Sequence, residues 1–249
     1  EIVVGYDGRG NRPLVRDALG NTTYFNHYTL FGQPQQVIFA DGSEIHFSYD
    51  ARSGLPLRAE RALVIGRPQP IMQSQAWAYD ALGNLIRHTT TTDDPENSAA
   101  MRVVAFDYDP EGHNPIRRRE WIEVGGEGES FATEERYAWD SLGKLKARTV
   151  LRRKRPGEEP EAFTTYLGYD ALGREIWQIE PVGTANCRIL DLQGRVLEAF
   201  LVPEATPDLL ADAPLDKRQL RYCWQYDAAG KEIALSLIHI SEPTRRTPI

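Results

Sequence analysis

The chain has 249 residues, 41% hydrophobic and 26% charged: enough apolar material for a buried core, but no apolar run long enough to span a bilayer. Its formal charge of −7 argues against nucleic acid or an anionic membrane as the main partner, because both require a net basic face. Cys187 and Cys223 have no metal-ligand spacing and cannot make a disulfide framework, although one long-range bridge between them is left open. The chain opens at Glu1 without Met and without a charged-then-apolar stretch, so no secretion signal is visible in it.

From the N-terminus, turn signals come in quick succession at "YDGRGN", "RDALGN", "LFGQP" and "ADGSE", which predicts short strands up to residue 50. A longer rhythm then sets in. An aromatic-Asp pair with Gly three residues after the Asp occurs at Tyr6-Asp7-Gly10, Tyr79-Asp80-Gly83, Tyr108-Asp109-Gly112, Trp139-Asp140-Gly143, Tyr169-Asp170-Gly173 and Tyr226-Asp227-Gly230. Weaker copies stand at Arg16-Asp17-Gly20, Leu190-Asp191-Gly194 and Tyr49-Asp50, where the glycine slips to Gly54. Asp50, Asp80, Asp109, Asp140 and Asp170 follow one another at steps of 30, 29, 31 and 30. In each copy the Asp accepts a hydrogen bond from an amide two residues on, and the Gly supplies the positive φ that closes a short hairpin with a bulge.

Thirty residues are too many for one strand, so each period needs a second turn near its middle. "IGRPQP", "DDPENS", "GGEGES" and "RPGEEP" supply it, which predicts pairs of strands of roughly ten residues that run up and down in an antiparallel meander. Residues one and three before each Asp share a strand face: Phe47 and Tyr49, Trp77 and Tyr79, Phe106 and Tyr108, Tyr137 and Trp139, Leu167 and Tyr169, Trp224 and Tyr226. Stacked strand by strand, they are expected to form a ladder of cross-strand aromatic contacts. The proline-rich "VPEATPDLLADAPLD" is expected to hold a short helix or a surface loop. The fold class is therefore all-β, a sheet of hairpins over residues 1–234.

The last residues differ in character. "LSLIHISEPTR", 235–245, resembles a translated sequencing-library adapter, so 235–249 is read as a non-native tail, against the alternative of a genuine apolar strand. On this reading the chain is an internal fragment of a longer protein.

Candidates for chemistry are few. The repeated aspartates all occupy one turn position, where backbone capping accounts for them together. "DYDPEG" places Asp107, Asp109 and Glu111 at alternate positions before Gly112, like the start of a calcium loop, but Arg118 stands where the bidentate carboxylate is required. His27, His46, His88, His113 and His239 are scattered without ligand spacing. "GGEGES" lacks the Lys-Ser/Thr of a phosphate loop and carries Glu127 and Glu129, which repel phosphate. Arg152, Arg153, Lys154 and Arg155 are followed at once by "EEPE" and read as a solvated loop. No catalytic residue, metal or cofactor is expected, and the chain is not expected to be an enzyme.

The repeated "YDALGN" and "YDALGR" strings resemble the YD repeats of the RHS family, over nearly the whole of residues 1–234. That family includes bacterial polymorphic toxins, the B and C components of insecticidal toxin complexes, cell-wall-associated bacterial proteins and animal teneurins. The resemblance implies a β-sheet that spirals into a hollow shell, with adjacent repeats as neighbours, an enclosed toxin domain of the same or a partner chain as cargo, and a secreted or cell-surface setting in bacteria. The spacing here is longer than in the family's simplest repeats, which suits the toxin-complex branch. The alternative is a cell-surface module whose exposed aromatics bind carbohydrate or a protein. An uncapped slice of such an array exposes strand edges and is expected to aggregate when isolated.

Overall fold

In the computed structural model, the residues described are 2–3, 5–62, 71–93, 100–124, 127–153, 158–211 and 218–238. They contain eighteen strands and one short helix, and the chain divides into two compact units. The first holds Glu1–Glu134 with Arg152–Glu159, and the second holds Glu135–Leu151 with Pro160–Ile249. The fold is all-β, as the alternation of short apolar strands and Asp-Gly turns requires.

The first unit is a meander of β1 (Ile2–Val3), β2 (Leu14–Arg16), β3 (Thr22–Tyr28), β4 (Pro34–Ile38), β5 (Glu44–Tyr49), β6 (Pro56–Ala62), β7 (Met72–Tyr79), β8 (Leu85–Asp93), β9 (Ala100–Tyr108) and β10 (Pro115–Val124). Each pairs antiparallel with the next. β11 (Glu127–Trp139) and β12 (Leu145–Arg152) follow. The second unit continues with β13 (Glu161–Tyr169), β14 (Glu175–Ile179), β15 (Ala185–Leu190), β16 (Val196–Val202), helix α1 (Pro207–Ala211), β17 (Gln219–Tyr226) and β18 (Glu232–Ile238). From β13 to β18 these strands too pair in sequence order.

β4 has 5 residues, in keeping with the short strands expected up to residue 50, whereas the strands of the thirty-residue rhythm run from 7 residues in β6 to 13 in β11, around the ten or so expected. "IGRPQP", most of "DDPENS" and the start of "RPGEEP" lie outside the described residues, as do Lys154, Arg155 and residues 239–249. In "GGEGES", residues 125–126 lie outside them too, and Glu127 already opens β11, so this stretch is strand where a loop was expected.

Burial is shared between the two faces of the first unit: Val104, on the face of Phe106, and Val37, on the face of Phe47 and Tyr49, are buried, but the packed cluster lies on the other face of β9. In the first unit, Trp121 (2% exposed) lies opposite Val103 (0%) and packs with Ala105, on the sheet face opposite Phe106 and Tyr108. Trp77, Tyr79, Phe106 and Tyr108 are half-buried. Their strands alternate with strands that lack the motif, so the nearest aromatic pairs stand two inter-strand steps of about 4.8 Å apart, beyond ring-contact distance. The space is filled from the strand between: Trp77 stacks on His88, centroids 5.3 Å apart and 8° from parallel. Two further ring contacts run along single strands, Phe47 with Tyr49 and Tyr222 with Trp224.

In the second unit, Ile179, Ala185, Cys187 and Val202 are buried with Ala205 and Leu210. The proline-rich excursion thus does form a short helix, and its Leu210 is a core residue. Thr206 caps it, its Oγ1 accepting from the Leu209 amide, and Pro207 opens the first turn. The Ala205 amide donates to the Gly183 carbonyl at 2.7 Å and pins the excursion to a hairpin turn. Behind it, buried Glu198 accepts from Arg218 and Arg221, both at 2.7 Å. Cys187 and Cys223 are free thiols. β18 carries Ile233, Leu235 and Leu237, each more than half exposed, so residues 235–238 of the suspected tail take the strand form.

A row of aspartate turns as the candidate functional site

The repeat turns share one geometry. The first residue's amide donates to the carbonyl four residues on, and the glycine three residues on donates back, as in Asp80 N to Asn84 O (3.0 Å) and Gly83 N to Asp80 O (3.1 Å). The aspartate then organises the loop. Asp80 Oδ1 accepts from the amides of Leu82 and Asn84, both at 2.9 Å, and Oδ2 accepts from Asn84 Nδ2. The same amide pair is captured by Asp7, Asp140, Asp170 and Asp227, and by Asp17 and Asp191 in the weaker copies. Gly83 and Gly143, at φ +89° and +74°, occupy the left-handed region where other residues are strained.

Two turns are one residue longer. Asp109 bonds the amides of His113 and Asn114, with Gly112 still third after it. Asp50 pairs with Leu55 and bonds the amides of Arg52 and Ser53. A further turn, Glu180 to Thr184, follows the same backbone pattern without an aspartate; the glycine three places on is its only sequence signal. Burial does not unify the row, since Tyr6 is 67% exposed.

The tyrosine before the aspartate has a job that spacing alone does not show. Tyr108 OH donates to the Leu85 carbonyl (3.1 Å), Tyr49 OH to Pro34 (3.1 Å), Tyr169 OH to Leu145 (3.0 Å) and Tyr226 OH to Val196 (2.9 Å). Tyr28, outside the motif, bonds the Arg12 carbonyl. Each acceptor is a residue at or near the start of the preceding strand, just after the previous turn on the same edge. At that end of the sheet no loop joins the two strands, and the hydroxyl closes the gap.

A second tie runs forward. Asn84 Nδ2 donates to the Gly112 carbonyl (2.8 Å), Gln33 Nε2 to Gly54 (2.8 Å), and Arg174 Nη1 to Asp191 (2.7 Å). Where the side chain is cationic it also covers the next ring: Lys144 lies over Tyr169 at 5.9 Å and Arg195 over Tyr226 at 4.7 Å. Successive turns are thus clasped in both directions. Trp139, which has no hydroxyl, stands at the tyrosine's place in the Asp140 turn.

Side-chain donors within the loop act on three of these carboxyls. The Asn84 side-chain amide holds the Asp80 carboxyl below its ordinary value, Asn11 does the same for Asp7, and Arg174 for Asp170. A leucine two residues after the aspartate projects outward, Leu82 (71% exposed) in the first unit, Leu142 (85%) and Leu172 (66%) in the second.

The other candidates are engaged elsewhere. Asp107 pairs with Arg117, and Arg118 with Glu120. His46 contacts Glu44, His88 lies under Trp77, and His27 sits at a left-handed backbone position. Among the described residues, no group of three His, Cys, Asp or Glu side chains is placed to hold a metal ion. None of the described helices is long and apolar enough to cross a membrane.

No protein-family model matches the chain, and no curated protein matches it in sequence. Solved structures do match its fold, an antiparallel β meander found within toxin-complex chains. The crystal structure of TcdB2-TccC3-Cdc42 superposes on 93% of this chain with a TM-score of 0.52 at 12% identity. That of TcdB2-TccC3 superposes on 93% with a TM-score of 0.51 at 13% identity. The form without the hypervariable C-terminal region gives 92%, 0.51 and 12%. In each case the matched region is 12% of the other chain, so this chain spans about an eighth of the length of those it resembles.

Proposed function

We propose that this chain is a wall segment of a YD-repeat shell that encloses a toxin polypeptide and helps deliver it, in a secreted or cell-surface setting. The observation that carries the reading is the coincidence of two features: a fold likeness to toxin-complex chains over 93% of the chain, and Tyr-Asp turns clasped repeat to repeat along one sheet edge. A wall of this kind works by geometry. Its polar groups are spent on holding turns and strands in register, with no residue acting in bond chemistry, and its partners are the adjacent repeats and the enclosed polypeptide. Residues 235–249 are read as adapter-derived sequence appended to the native segment.

Resequencing the source DNA across the codon for Ala234 tests this reading. The expected result is a frame that continues through more Tyr-Asp turns to a self-cleaving segment and an unrelated variable domain. A frame that stops at Ile249, or runs into a surface-anchoring or sugar-binding domain, overturns it. One observation favours a second reading, a module that binds a protein surface: Leu82, Leu142 and Leu172 expose apolar side chains at equivalent turn positions.

A further inference from the structure

The clasps between turns are not uniform, and among the described residues of the first unit the joint between the Asp50 and Asp80 turns lacks both. Tyr49, Tyr108 and Tyr226 obey one rule. Where the paired ladder ends at residues i and j, the tyrosine at j+3 reaches the carbonyl at i−2: Gln36 and His46 give Tyr49 to Pro34, Arg87 and Ala105 give Tyr108 to Leu85, Glu198 and Cys223 give Tyr226 to Val196. Between β6 and β7 the ladder ends at Arg58 and Ala76, so the rule assigns Tyr79 to the Pro56 carbonyl. That bond is not made, and among the described residues the Tyr79 hydroxyl has no hydrogen-bond partner. The forward tie is missing as well. Leu55 stands where Asn84, Gln33 and Arg174 stand in their turns, and a leucine has no donor.

The two absences fall at a turn of unusual form. The Asp50 turn closes on Leu55 rather than on the residue before it, and its glycine is displaced to Gly54. In place of the clasps lies an open groove of about 570 Å³, lined by Arg52, Ser53, Leu55, Leu57, Tyr79 and Leu82 among others. At the flanking joints the same space is filled. A Cβ on Gly112 would overlap Leu82, and a Cβ on Gly54 would lie 3.1 Å from the Phe31 ring, whereas Gly83 has only Leu55 near it, at 3.8 Å.

We infer that the joint between the Asp50 and Asp80 turns is a built-in seam, the place where neighbouring repeats of the first unit part before any others do. Among the described residues, opening there breaks the ladder bonds between β6 and β7 without any such tie, while opening at the Asp80–Asp109 joint must also break the Tyr108 and Asn84 ties. Subglobal openings of this kind set the exchange rates of the amides they free.

Hydrogen exchange on the full chain tests the seam, comparing peptides from residues 56–61 and 73–79 with peptides from 86–92 and 101–107. The first pair is expected to exchange about tenfold faster. Leu55→Asn, which supplies the donor that Asn84 supplies one turn later, is expected to slow that exchange at least about threefold. Tyr79→Phe is expected to leave it unchanged, because its hydroxyl is unused, whereas Tyr108→Phe speeds exchange in β8 and β9. Equal exchange at the two joints, no response to Leu55→Asn, or a Tyr79→Phe effect as large as that of Tyr108→Phe would each overturn the seam. Leu55→Asn adds a bond and Tyr79→Phe removes none, so neither variant depends on surviving a damaged fold.

Discussion

The Tyr108 hydroxyl, at the end of β9, donates to the main-chain carbonyl of Leu85, the first residue of β8, across an edge where no loop connects the two strands. Side-chain hydroxyls bonded to the backbone contribute about 0.5–1.5 kcal/mol each. Tyr108→Phe and Tyr169→Phe are therefore expected to lower stability by about 1 kcal/mol apiece, read as a shift in the urea midpoint without a change of slope. A loss below about 0.3 kcal/mol at both positions would show that the clasp only decorates the edge.

Gly168 and Gly143 separate two reasons for a glycine. A Cβ on Gly168 would overlap the Trp177 indole lying across it, while a Cβ on Gly143 meets open space and suffers only from the positive φ. Gly168→Ala is expected to cost about 2–3 kcal/mol by forcing the ring off its site, and Gly143→Ala about 1 kcal/mol. Thermal denaturation of the two variants should rank them in that order.

Cys187 and Cys223 should differ in reactivity. Burial pushes the Cys187 thiol up to about 11, against the opposing pull of Arg218, so almost no thiolate is present at pH 8. Cys187 is 5% exposed in the second unit's core, whereas Cys223 is half-buried. Titration with a thiol reagent should show one accessible thiol in the folded chain and two after unfolding. Rapid modification of both under native conditions would mean that the β15 core is open.

Sequence patterns made the turns legible because their chemistry is local. An aspartate that bonds amides two and four residues away, and a glycine that takes a positive φ, act within five or six residues. The clasps were not legible, since Leu85 lies 23 residues from Tyr108 and accepts through an atom every residue possesses. The first unit's packed cluster was not legible either. Period-two alternation says that two faces exist without saying which is buried, and Trp121 opposes Val103 across a strand pair that nothing in either strand announces. α1 was anticipated only as a possibility, because its five residues earn their place through Leu210 docking on distant strands.

Acid should loosen the turns in a definite window. The Asp80 carboxyl is held below the ordinary value of 3.8, first by the Asn84 side-chain amide, and Asp170 is held down by Arg174. A depressed folded value means that the stabilisation is complete above the unfolded value and is lost as pH falls through the folded one. The stability difference between the natural chain and Asp80→Asn is thus expected to be constant from pH 7 to about 5 and to shrink below about pH 4. Melting curves at stepped pH check this, and a gap that persists to pH 2 would rule out the carboxylate as the cause.

Breaking the buried ion cluster is expected to be the most damaging single change. Glu198→Ala leaves Arg218, 8% exposed, without its carboxylate beside the Phe200 ring. Removing one partner of a buried pair costs about 3–5 kcal/mol. The loss should appear as early unfolding of the second unit, followed by intrinsic tryptophan fluorescence.

Because the tyrosine clasp is received by a carbonyl, the residue offering it is free to be anything: proline at 34, leucine at 85 and 145, valine at 196. Mutation at those sites leaves the bond in place. An architecture stitched through its main chain tolerates wide drift in spelling, so a likeness of fold at 12–13% identity needs no shared side chains at those sites. The same freedom would let lineages rewrite nearly every strand while keeping only the punctuation.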